Sequence, residues 1–549
     1  MKLLPIALMA ALASTTPVLA GDKSMTPISG DPVATGSGRV AGTRLPSGVR
    51  AYLGIPFAAP PVGALRWAPP QPTRWSGVFN ADRKGAECIQ VLRPHDINHY
   101  FGEEASGEDC LTLNVWAPAK PTTGAALPVI VFIYGGGYTL GSSGMANYDG
   151  EAMAQRGAIF VNFNYRVGAL GFLAHPELTA EQGGASGNYG TMDQTLALRW
   201  VHDNIARFGG DPGEVLIMGQ SAGARSVASQ IVSPAARGLF RAGVMSSGCN
   251  FRAPTPTLAE SEKLGLQLQR ALGAGSLAAM RMLPADKILA AQSENQLGLS
   301  VAGVRIGGPI VDGKVIPAQF SALIEGGNYA RVPIIASYNS DDMSNGFQPL
   351  LAASTLAQYR AAADALFGSD APAFLGLYAP ASDAEVRRVA RHAASDAGFA
   401  SQARNCAMDE AAHSVPTFID EYARRHPYIP GVKLADQDTA TVGAYHTADI
   451  PYWFGTQDKY NAIRATRAWT PWDRTMSGRM MDALIAFAAT GSPTTAAMPW
   501  RAWTPVNDSY LRLGDDVQTA PYTLPGLSWL AAHPPAASAP VPRPSTPRD

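Results

Sequence analysis

The sequence predicts an α/β fold in which a large, mostly parallel sheet carries helices on both faces and helical insertions. Two apolar segments, 127–134 and 158–165, lack the polar alternation of a half-exposed strand, so both of their faces are expected to be buried. Strand-like and helix-like segments alternate along the chain, which is typical of parallel strands joined by helical crossovers. The third observation is segment 215–224, where a buried strand runs into a sharp turn and a helix of small residues.

The individual elements follow from local patterns, taken in chain order. Strands are predicted where apolar runs or glycine-punctuated alternation occur, at 36–51 (short and antiparallel), 108–116, 127–134, 158–165, 215–220, 238–246, 332–338 and 415–422. Helices are predicted from an apolar stripe or from Ala- and Leu-rich composition, at about 192–208 and within 258–299 and 355–412.

Composition limits the classes of protein that are possible. The chain has 549 residues, 46% of them hydrophobic, and can bury a large core. Its net charge is −1 and it has no basic stripe, which argues against a nucleic-acid partner. After the N-terminus, no apolar run approaches the length of a membrane span. We predict one domain over 21–533, followed by a Pro-rich tail over 534–549 that is disordered or polyproline.

The first 20 residues have the pattern of a secretory signal peptide. Lys2 gives a positive start, 3–12 is almost wholly apolar, and a small-x-small cleavage site at 18–20 precedes Gly21. An N-terminal helix is the alternative. We therefore predict a secreted or periplasmic protein and exclude 1–20 from the fold.

Export makes disulfides possible, and the chain has four cysteines. An even number favours pairing, with buried free thiols as the alternative in a protein of this size. Cys88 and Cys110 bracket a polar loop that contains aromatic residues, and they are the pair we predict. The sequence leaves open whether Cys249 and Cys406 pair.

Segment 219–223 reads GQSAG and fits G-x-S-x-G, the nucleophile elbow. Such a turn needs very small neighbours on both sides of a strained central residue. It would hold the Ser221 hydroxyl clear of the sheet, with the N-terminus of the next helix directed at the reacting carbonyl. The alternative is an ordinary tight strand-to-helix turn.

Three consecutive glycines, 135–137, end the buried strand upstream of the elbow. A tetrahedral intermediate places negative charge on the former carbonyl oxygen, and backbone N–H groups stabilise it only where no side chain blocks them. Gly136, Gly137 and Ala222 are therefore predicted to donate to an oxyanion. The alternative is that the triplet is only a flexible turn.

The chain resembles the type-B carboxylesterases, the family that includes the cholinesterases and several secreted lipases. The resemblance extends from about residue 38 to 513 and rests on motifs at 54–63 (GIPFAAPPVG), 108–115 (EDCLTLNV), 134–137 (YGGG), 164–166 (NYR), 187–194 (GNYGTMDQ), 208–212 (FGGDP), 219–223 (GQSAG) and 443–446 (GAYH). It implies an α/β-hydrolase fold with a serine–acid–histidine triad. It also implies a Cys88–Cys110 disulfide and two structural ion pairs, Arg66–Glu108 and Arg166–Asp193.

The resemblance assigns the base to His446, which follows a Gly-Ala-Tyr segment on a predicted loop. The acid must lie between Ser221 and His446 in the α/β-hydrolase chain order. After the strand at 332–338, Asp342 takes the position of the family's glutamate, and the adjacent Asp341 is the alternative. Asp312 matches a family segment that is structural.

Gln220 departs from the family, which commonly has glutamate beside the serine. Its neutral amide removes a negative charge from the site, so we expect it to change the pH profile more than the reaction type.

The predicted activity is hydrolysis of small-molecule carboxylic esters by Ser221, Asp342 and His446 through an acyl-enzyme, with no metal or cofactor. The alternatives are a lipase or an amide or carbamate hydrolase with the same triad, and a non-catalytic cholinesterase-like binding module. Tyr138, Tyr100 and Phe101 are candidate walls of the substrate pocket, with ordinary packing as their alternative.

Overall fold

A computed structural model describes residues 26–91, 105–120, 126–292, 295–296, 299–300, 304–342, 347–462, 464–522 and 524–533. The predicted signal peptide (1–20), the Pro-rich tail (534–549), Tyr100 and Phe101 lie outside the described residues.

The strands are numbered in chain order. They are β1 Val33–Ala34, β2 Arg39–Ala41, β3 Thr43–Arg44, β4 Arg50–Pro56, β5 Val78–Asn80, β6 Glu87–Cys88, β7 Ser106–Gly107, β8 Thr112–Ala117, β9 Leu127–Ile133, β10 Ile159–Phe163, β11 Gly210–Gln220, β12 Ala242–Ser246, β13 Asn295–Gln296, β14 Leu299–Ser300, β15 Ile334–Asn339, β16 Thr417–Tyr422, β17 Ser509–Leu513 and β18 Val517–Pro521.

The α-helices are numbered in the same way. They are α1 Glu151–Gln155, α2 Gly168–Phe172, α3 Pro176–Glu181, α4 Tyr189–Asn204, α5 Ala222–Val232, α6 Leu258–Ala271, α7 Leu277–Arg281, α8 Ala285–Ala290, α9 Phe320–Glu325, α10 Gln348–Ala352, α11 Leu356–Phe367, α12 Ala371–Leu377, α13 Asp383–Ser395, α14 Ser401–Ala411, α15 Ile450–Phe454, α16 Pro471–Thr490 and α17 Leu524–Ala532. A π-helical turn, Asp396–Ala400, joins α13 to α14.

One large sheet organises the described chain, with 11 strands in the order 18-17-16-15-12-11-9-10-8-4-3. The strands from β17 to β10 in that order are parallel to their neighbours, and antiparallel strands flank them at both edges. Parallel neighbours need long connections, and here helices such as α5, between β11 and β12, supply them. The predicted α/β-hydrolase architecture, a mostly parallel sheet with helices on both sides, is confirmed.

Strands in the centre of this sheet are buried on both faces, as their continuous apolar sequences predict. Every residue of β10 and of β12 is buried. The predicted strand over 238–246 is shorter, because the chain around residue 238 turns and regular pairing starts at Ala242. The predicted helix over 192–208 starts earlier, at Tyr189, and its last turn, Ile205–Phe208, is a 3₁₀-helix.

Two parts of the fold differ from the sequence prediction or were missed by it. The last helix within the predicted helical region 258–299 is α8, and residues 295–296 form β13, which pairs antiparallel with β14. The 20-residue helix α16 was not predicted, although Thr470 and Asp473 form a capping box at its start.

Two disulfides and two ion pairs connect segments that are distant in the sequence. The structure joins Cys88 to Cys110 and Cys249 to Cys406. The Arg66–Glu108 and Arg166–Asp193 ion pairs, implied by the family resemblance, have N–O distances of 2.6 and 2.7 Å and are largely buried. Within the described ranges, no helix is both long and apolar enough to cross a membrane.

Candidate active site

Ser221 lies at the turn between β11 and α5, with φ of +59° and ψ of −122°. This region of backbone space is unfavourable for residues other than glycine, so the surrounding structure must hold the serine there. A Cβ atom at Gly219 would collide with the backbone of Gly223, and one at Gly223 would collide with Ile133. The Ser221 N–H donates to the Ser246 carbonyl at 2.8 Å, which ties the turn to β12.

His446 meets the carboxylate of Asp342, with Nδ1 2.5 Å from Oδ1. Asp342 is fully buried, and its other oxygen accepts from Ser247 Oγ at 2.5 Å and from Asn339 N at 3.2 Å. These donors hold the carboxylate in one orientation. If Nδ1 of His446 donates to Asp342, Nε2 is left with the lone pair that a general base needs.

The electrostatics of His446 combine two opposing effects. Burial disfavours the imidazolium and lowers the pKa of His446, whereas the adjacent Asp342 carboxylate raises it, and the net result is a raised pKa. The ring of Phe399 stacks against the imidazole, with centroids 5.6 Å apart. The π-helical turn Asp396–Ala400 carries this phenylalanine.

Asp341, the alternative acid, has a different neighbour. Its Oδ2 accepts from the N–H of Ala444 at 2.8 Å, and its own N–H donates to the Ala444 carbonyl at 3.2 Å. A Cβ at Gly443 would collide with the Asp341 carboxylate. Asp341 therefore holds the loop that carries His446, while Asp342 contacts the imidazole itself.

Gln220 contacts the other side of the imidazole. Its side-chain Nε2 lies 3.1 Å from Nε2 of His446. An amide nitrogen only donates, so this contact is a hydrogen bond to the neutral imidazole. It places Nε2 of His446 directly at the elbow.

The glycine triplet approaches the elbow closely. A Cβ at Gly135 would collide with the Gln220 carbonyl oxygen and crowd Ser221 Cβ. Gly136 and Gly137 have φ of +107° and +59°, a left-handed conformation that turns this segment back beside the nucleophile. Ala222 is the first residue of α5, so its N–H has no partner within that helix.

A second layer of polar groups lies behind the turn. The buried Asp449 carboxylate accepts from Ser246 Oγ at 2.6 Å, Asn339 Nδ2 at 3.3 Å and Trp453 Nε1 at 3.2 Å. Burial raises its pKa. Asp449 and Ser247 were not predicted as site residues, and nothing in the local sequence of Ser247 distinguishes it.

Of the predicted pocket residues, the described chain contains Tyr138. It is 9% exposed, has φ of +65° and packs edge-on against Phe172, with ring centroids 5.2 Å apart. Its position in the chain, directly after Gly137, places it beside the glycine triplet. No cluster of three or more His, Cys, Asp or Glu residues suited to a metal occurs among the residues that the structure describes.

The fold is that of the α/β-hydrolases, and the comparisons identify the protein as a carboxylic ester hydrolase. A model of the carboxylesterase family matches residues 30–524, and the chain belongs to that family.

Curated relatives and solved structures agree with this membership. Para-nitrobenzyl esterase of Bacillus subtilis (strain 168) is 31% identical over 486 residues, covering 86% of this chain and 92% of the relative. Fumonisin B1 esterase of Sphingopyxis macrogoltabida is 39% identical over 370 residues, covering 66% of each protein. A solved structure of a PNB esterase superimposes with a TM-score of 0.69 at 29% identity, over 89% of this chain and 97% of the other.

Proposed function

We propose that the protein is an exported serine carboxylesterase that hydrolyses small-molecule esters through the triad Ser221, His446 and Asp342. One observation carries this proposal. His446 has its Nδ1 2.5 Å from Asp342 and its Nε2 3.1 Å from Gln220, the residue directly before Ser221. The imidazole of His446 thus contacts a buried carboxylate on one side and the nucleophile elbow on the other.

In the first half of the reaction, the Gln220 amide releases Nε2 of His446, and the freed lone pair takes the proton of the Ser221 hydroxyl as Oγ attacks the ester carbonyl. Asp342 holds the tautomer with hydrogen on Nδ1 and stabilises the imidazolium that forms. The imidazolium then gives its proton to the leaving alcohol, and an acyl-serine remains. Water repeats the sequence, releases the carboxylic acid and restores the serine.

The tetrahedral intermediates carry negative charge on oxygen, and we assign its stabilisation to the N–H groups of Gly136, Gly137 and Ala222. The close approach of the glycine triplet to Ser221 and the position of Ala222 at the start of α5 support this assignment. The loss of one such donor typically costs about 3 kcal/mol of transition-state stabilisation.

Amide, carbamate and long-chain ester hydrolysis use the same machinery and form the alternative activities. The two curated relatives described above are esterases named for para-nitrobenzyl esters and fumonisin B1, which supports small-molecule esters as the class of substrate. A non-catalytic binding module is the remaining alternative.

Export rests on the predicted signal peptide at 1–20, with 21–533 as the catalytic domain and 534–549 as a tail. The two disulfides support it, because disulfides persist in oxidising compartments. N-terminal sequencing of the protein recovered outside the cytoplasm tests it, and we expect Gly21 as the first residue. Recovery of the uncleaved chain in the cytoplasm would contradict it.

Hydrolysis of p-nitrophenyl acetate by the wild type and by Ser221→Ala tests the enzyme. We expect the variant to lose measurable turnover while keeping the wild-type melting temperature. An inactive wild type across a panel of esters would favour the binding module.

A matched pair of variants tests the acid. Asp342→Asn should lower kcat by about 10⁴-fold, because the amide stabilises the wrong imidazole tautomer. Asp341→Asn should cost less than about tenfold, since Asp341 contacts the loop and not the imidazole. The reverse order of effects would assign the acid to Asp341.

A further inference from the structure

Two residues of the elbow and helix α5 are partly exposed to solvent. Over 215–233 every residue is buried except Ser221 and Arg225, which are partly exposed. Ser221 caps the start of α5, and its carbonyl accepts from the Arg225 N–H at 3.1 Å, so the two residues lie within one helical turn. A ligand at the nucleophile is therefore within one helical turn of Arg225.

The contacts of Arg225 are all with neutral groups. Its guanidinium donates to the Asn250 carbonyl at 2.5 Å, to Thr255 Oγ1 at 2.5 Å and to the Ala253 carbonyl at 3.4 Å. Its Cζ lies 3.8 Å from the centroid of the Phe320 ring. A guanidinium has five N–H donors, so these three hydrogen bonds leave donors for a ligand.

No carboxylate among the described residues compensates this charge. Burial lowers the pKa of Arg225, and the other group that acts on it electrostatically is Tyr138. Arg66 and Arg166 each meet an acidic partner, whereas the buried Arg50 donates to the carbonyls of Pro118 and Phe208. A partly buried cation without an anionic partner favours the binding of an anion from outside, because that anion need not displace a carboxylate of the protein.

Tyr138 adds a second donor at the same place. Its hydroxyl is buried and makes no hydrogen bond of normal geometry within the described chain, although Ser226 lies near it. A buried polar group without a partner costs free energy that a ligand can recover. Tyr138 also follows Gly137 directly, so the unsatisfied hydroxyl and the uncompensated cation belong to the surroundings of one nucleophile.

We propose that Arg225 and the hydroxyl of Tyr138 form a subsite for a carboxylate on the acyl part of the ester, so that the preferred substrates are half-esters of dicarboxylic acids. This inference rests on the proposed esterase function.

The acyl side follows from the direction of the reaction. The leaving alcohol must depart towards His446, which protonates it. Arg225 lies on the helix that begins with Ala222, and Tyr138 follows Gly137, so both belong to the side of the oxyanion donors. The groups that act electrostatically on His446 are Asp342 and Asp449. The subsite therefore lies away from the leaving group and beside the acyl chain.

The experiment compares kcat/KM for monoethyl succinate, glutarate and adipate with that for ethyl esters in which an isopropyl group replaces the carboxylate. Release of acid is followed in a pH-stat. For at least one chain length, we expect the wild type to prefer the charged ester by tenfold or more. A ratio of one or below at all three lengths would overturn the subsite, even if the neutral esters are hydrolysed.

Two variants and a control locate the effect. Arg225→Gln should lower the ratio of kcat/KM for charged to neutral esters at least tenfold, and Tyr138→Phe about threefold or more. A general loss of activity affects both esters equally and leaves this ratio unchanged. Arg252→Gln is the charge-matched control, because Arg252 is exposed and paired with Asp409, and it should leave the ratio unchanged. If Arg225→Gln does not fold, the wild-type ratio and Tyr138→Phe decide the question.

Two further outcomes separate the inference from the proposed function. A higher rate for 3-butanoyloxypropanoate than for 3-methylbutyl butanoate, without any preference among the ethyl esters, would place the carboxylate on the alcohol side and overturn the acyl assignment. Turnover of neutral esters that survives Ser221→Ala would refute the proposed function itself.

Discussion

Replacing Gln220 by glutamate places a carboxylate beside the proposed base without changing the length of the side chain. Nε2 of Gln220 lies 3.1 Å from Nε2 of His446, and the imidazole already contacts Asp342 through Nδ1. Gln220→Glu would therefore place negative charge on both sides of the ring. The protonated form of His446 is favoured by each charge, so the pKa of His446 should rise.

The size of the shift follows from the distance. Two unit charges about 3 Å apart interact by about 1.3 kcal/mol at a dielectric constant of 80 and by about 2.7 kcal/mol at 40. His446 keeps 17% of its side chain exposed, which favours the more screened end of this range. At 1.36 kcal/mol for each pKa unit, the expected increase is about one to two units.

The assay is the pH dependence of kcat/KM for a neutral ester, because kcat/KM reports the ionisations of the free enzyme. His446 acts as a base only when it is neutral, so activity is present above its pKa and is lost below it. A raised pKa therefore moves the acidic limb of the profile to higher pH by about one to two units. Gln220→Met is the matched control, since it removes the amide without adding charge.

An acidic limb that stays in place in a folded Gln220→Glu variant would refute this reasoning. It would mean that the glutamate is protonated or directed away from the imidazole. A shift of equal size in Gln220→Met would assign the effect to the lost amide hydrogen bond and not to charge.

Three further predictions concern groups around the site and the core. Burial raises the pKa of the Glu410 carboxyl from 4.5 to about 7, so the stability that this group contributes is complete below the unfolded pKa and is lost as pH rises through about 7. Glu410→Gln keeps the hydrogen bond from Tyr329 and cannot ionise. By thermal unfolding, it should stabilise the protein by up to about 3 kcal/mol at pH 8 and little at pH 5. The double substitution Cys249→Ala and Cys406→Ala opens a 157-residue loop and should cost about 3–5 kcal/mol of stability, with an unchanged melting temperature contradicting a structural role. Phe399→Leu removes the ring that faces the proposed base, which should lower its pKa by about half a unit and move the acidic limb towards lower pH.

The sequence predicted those parts of the fold and site in which chemistry leaves a local mark. The apolar sequences of β9 and β10 predict burial on both faces of the sheet. The glycines within 135–137 and 219–223 predict that two backbone segments approach each other closely. In both cases the local sequence reflects what the folded chain needs at that point. The family resemblance then assigned His446 and Asp342, which the structure brings together.

What escaped prediction depends on contacts between distant segments. Phe399 lies in an Ala-rich helical stretch and becomes a neighbour of His446 only because a π-helical turn interrupts the helix. Arg225 has no distinguishing local sequence, and its missing acid partner is visible only once the chain is folded. Helix α16 is a different case, because its capping box and the glycine that ends it were legible in the sequence.

The two adjacent aspartates show why a shorter acid can replace the family's glutamate. The sequence presented Asp341 and Asp342 as alternatives, but the structure uses both. Asp341 binds the backbone of Ala444 through its carboxylate and its N–H, and so holds the loop of His446 against the end of β15. With the loop held there, Nδ1 of His446 lies 2.5 Å from Asp342, the proposed acid, although aspartate is one methylene shorter than glutamate. The contact between His446 and the proposed acid therefore depends on both aspartates and not on Asp342 alone.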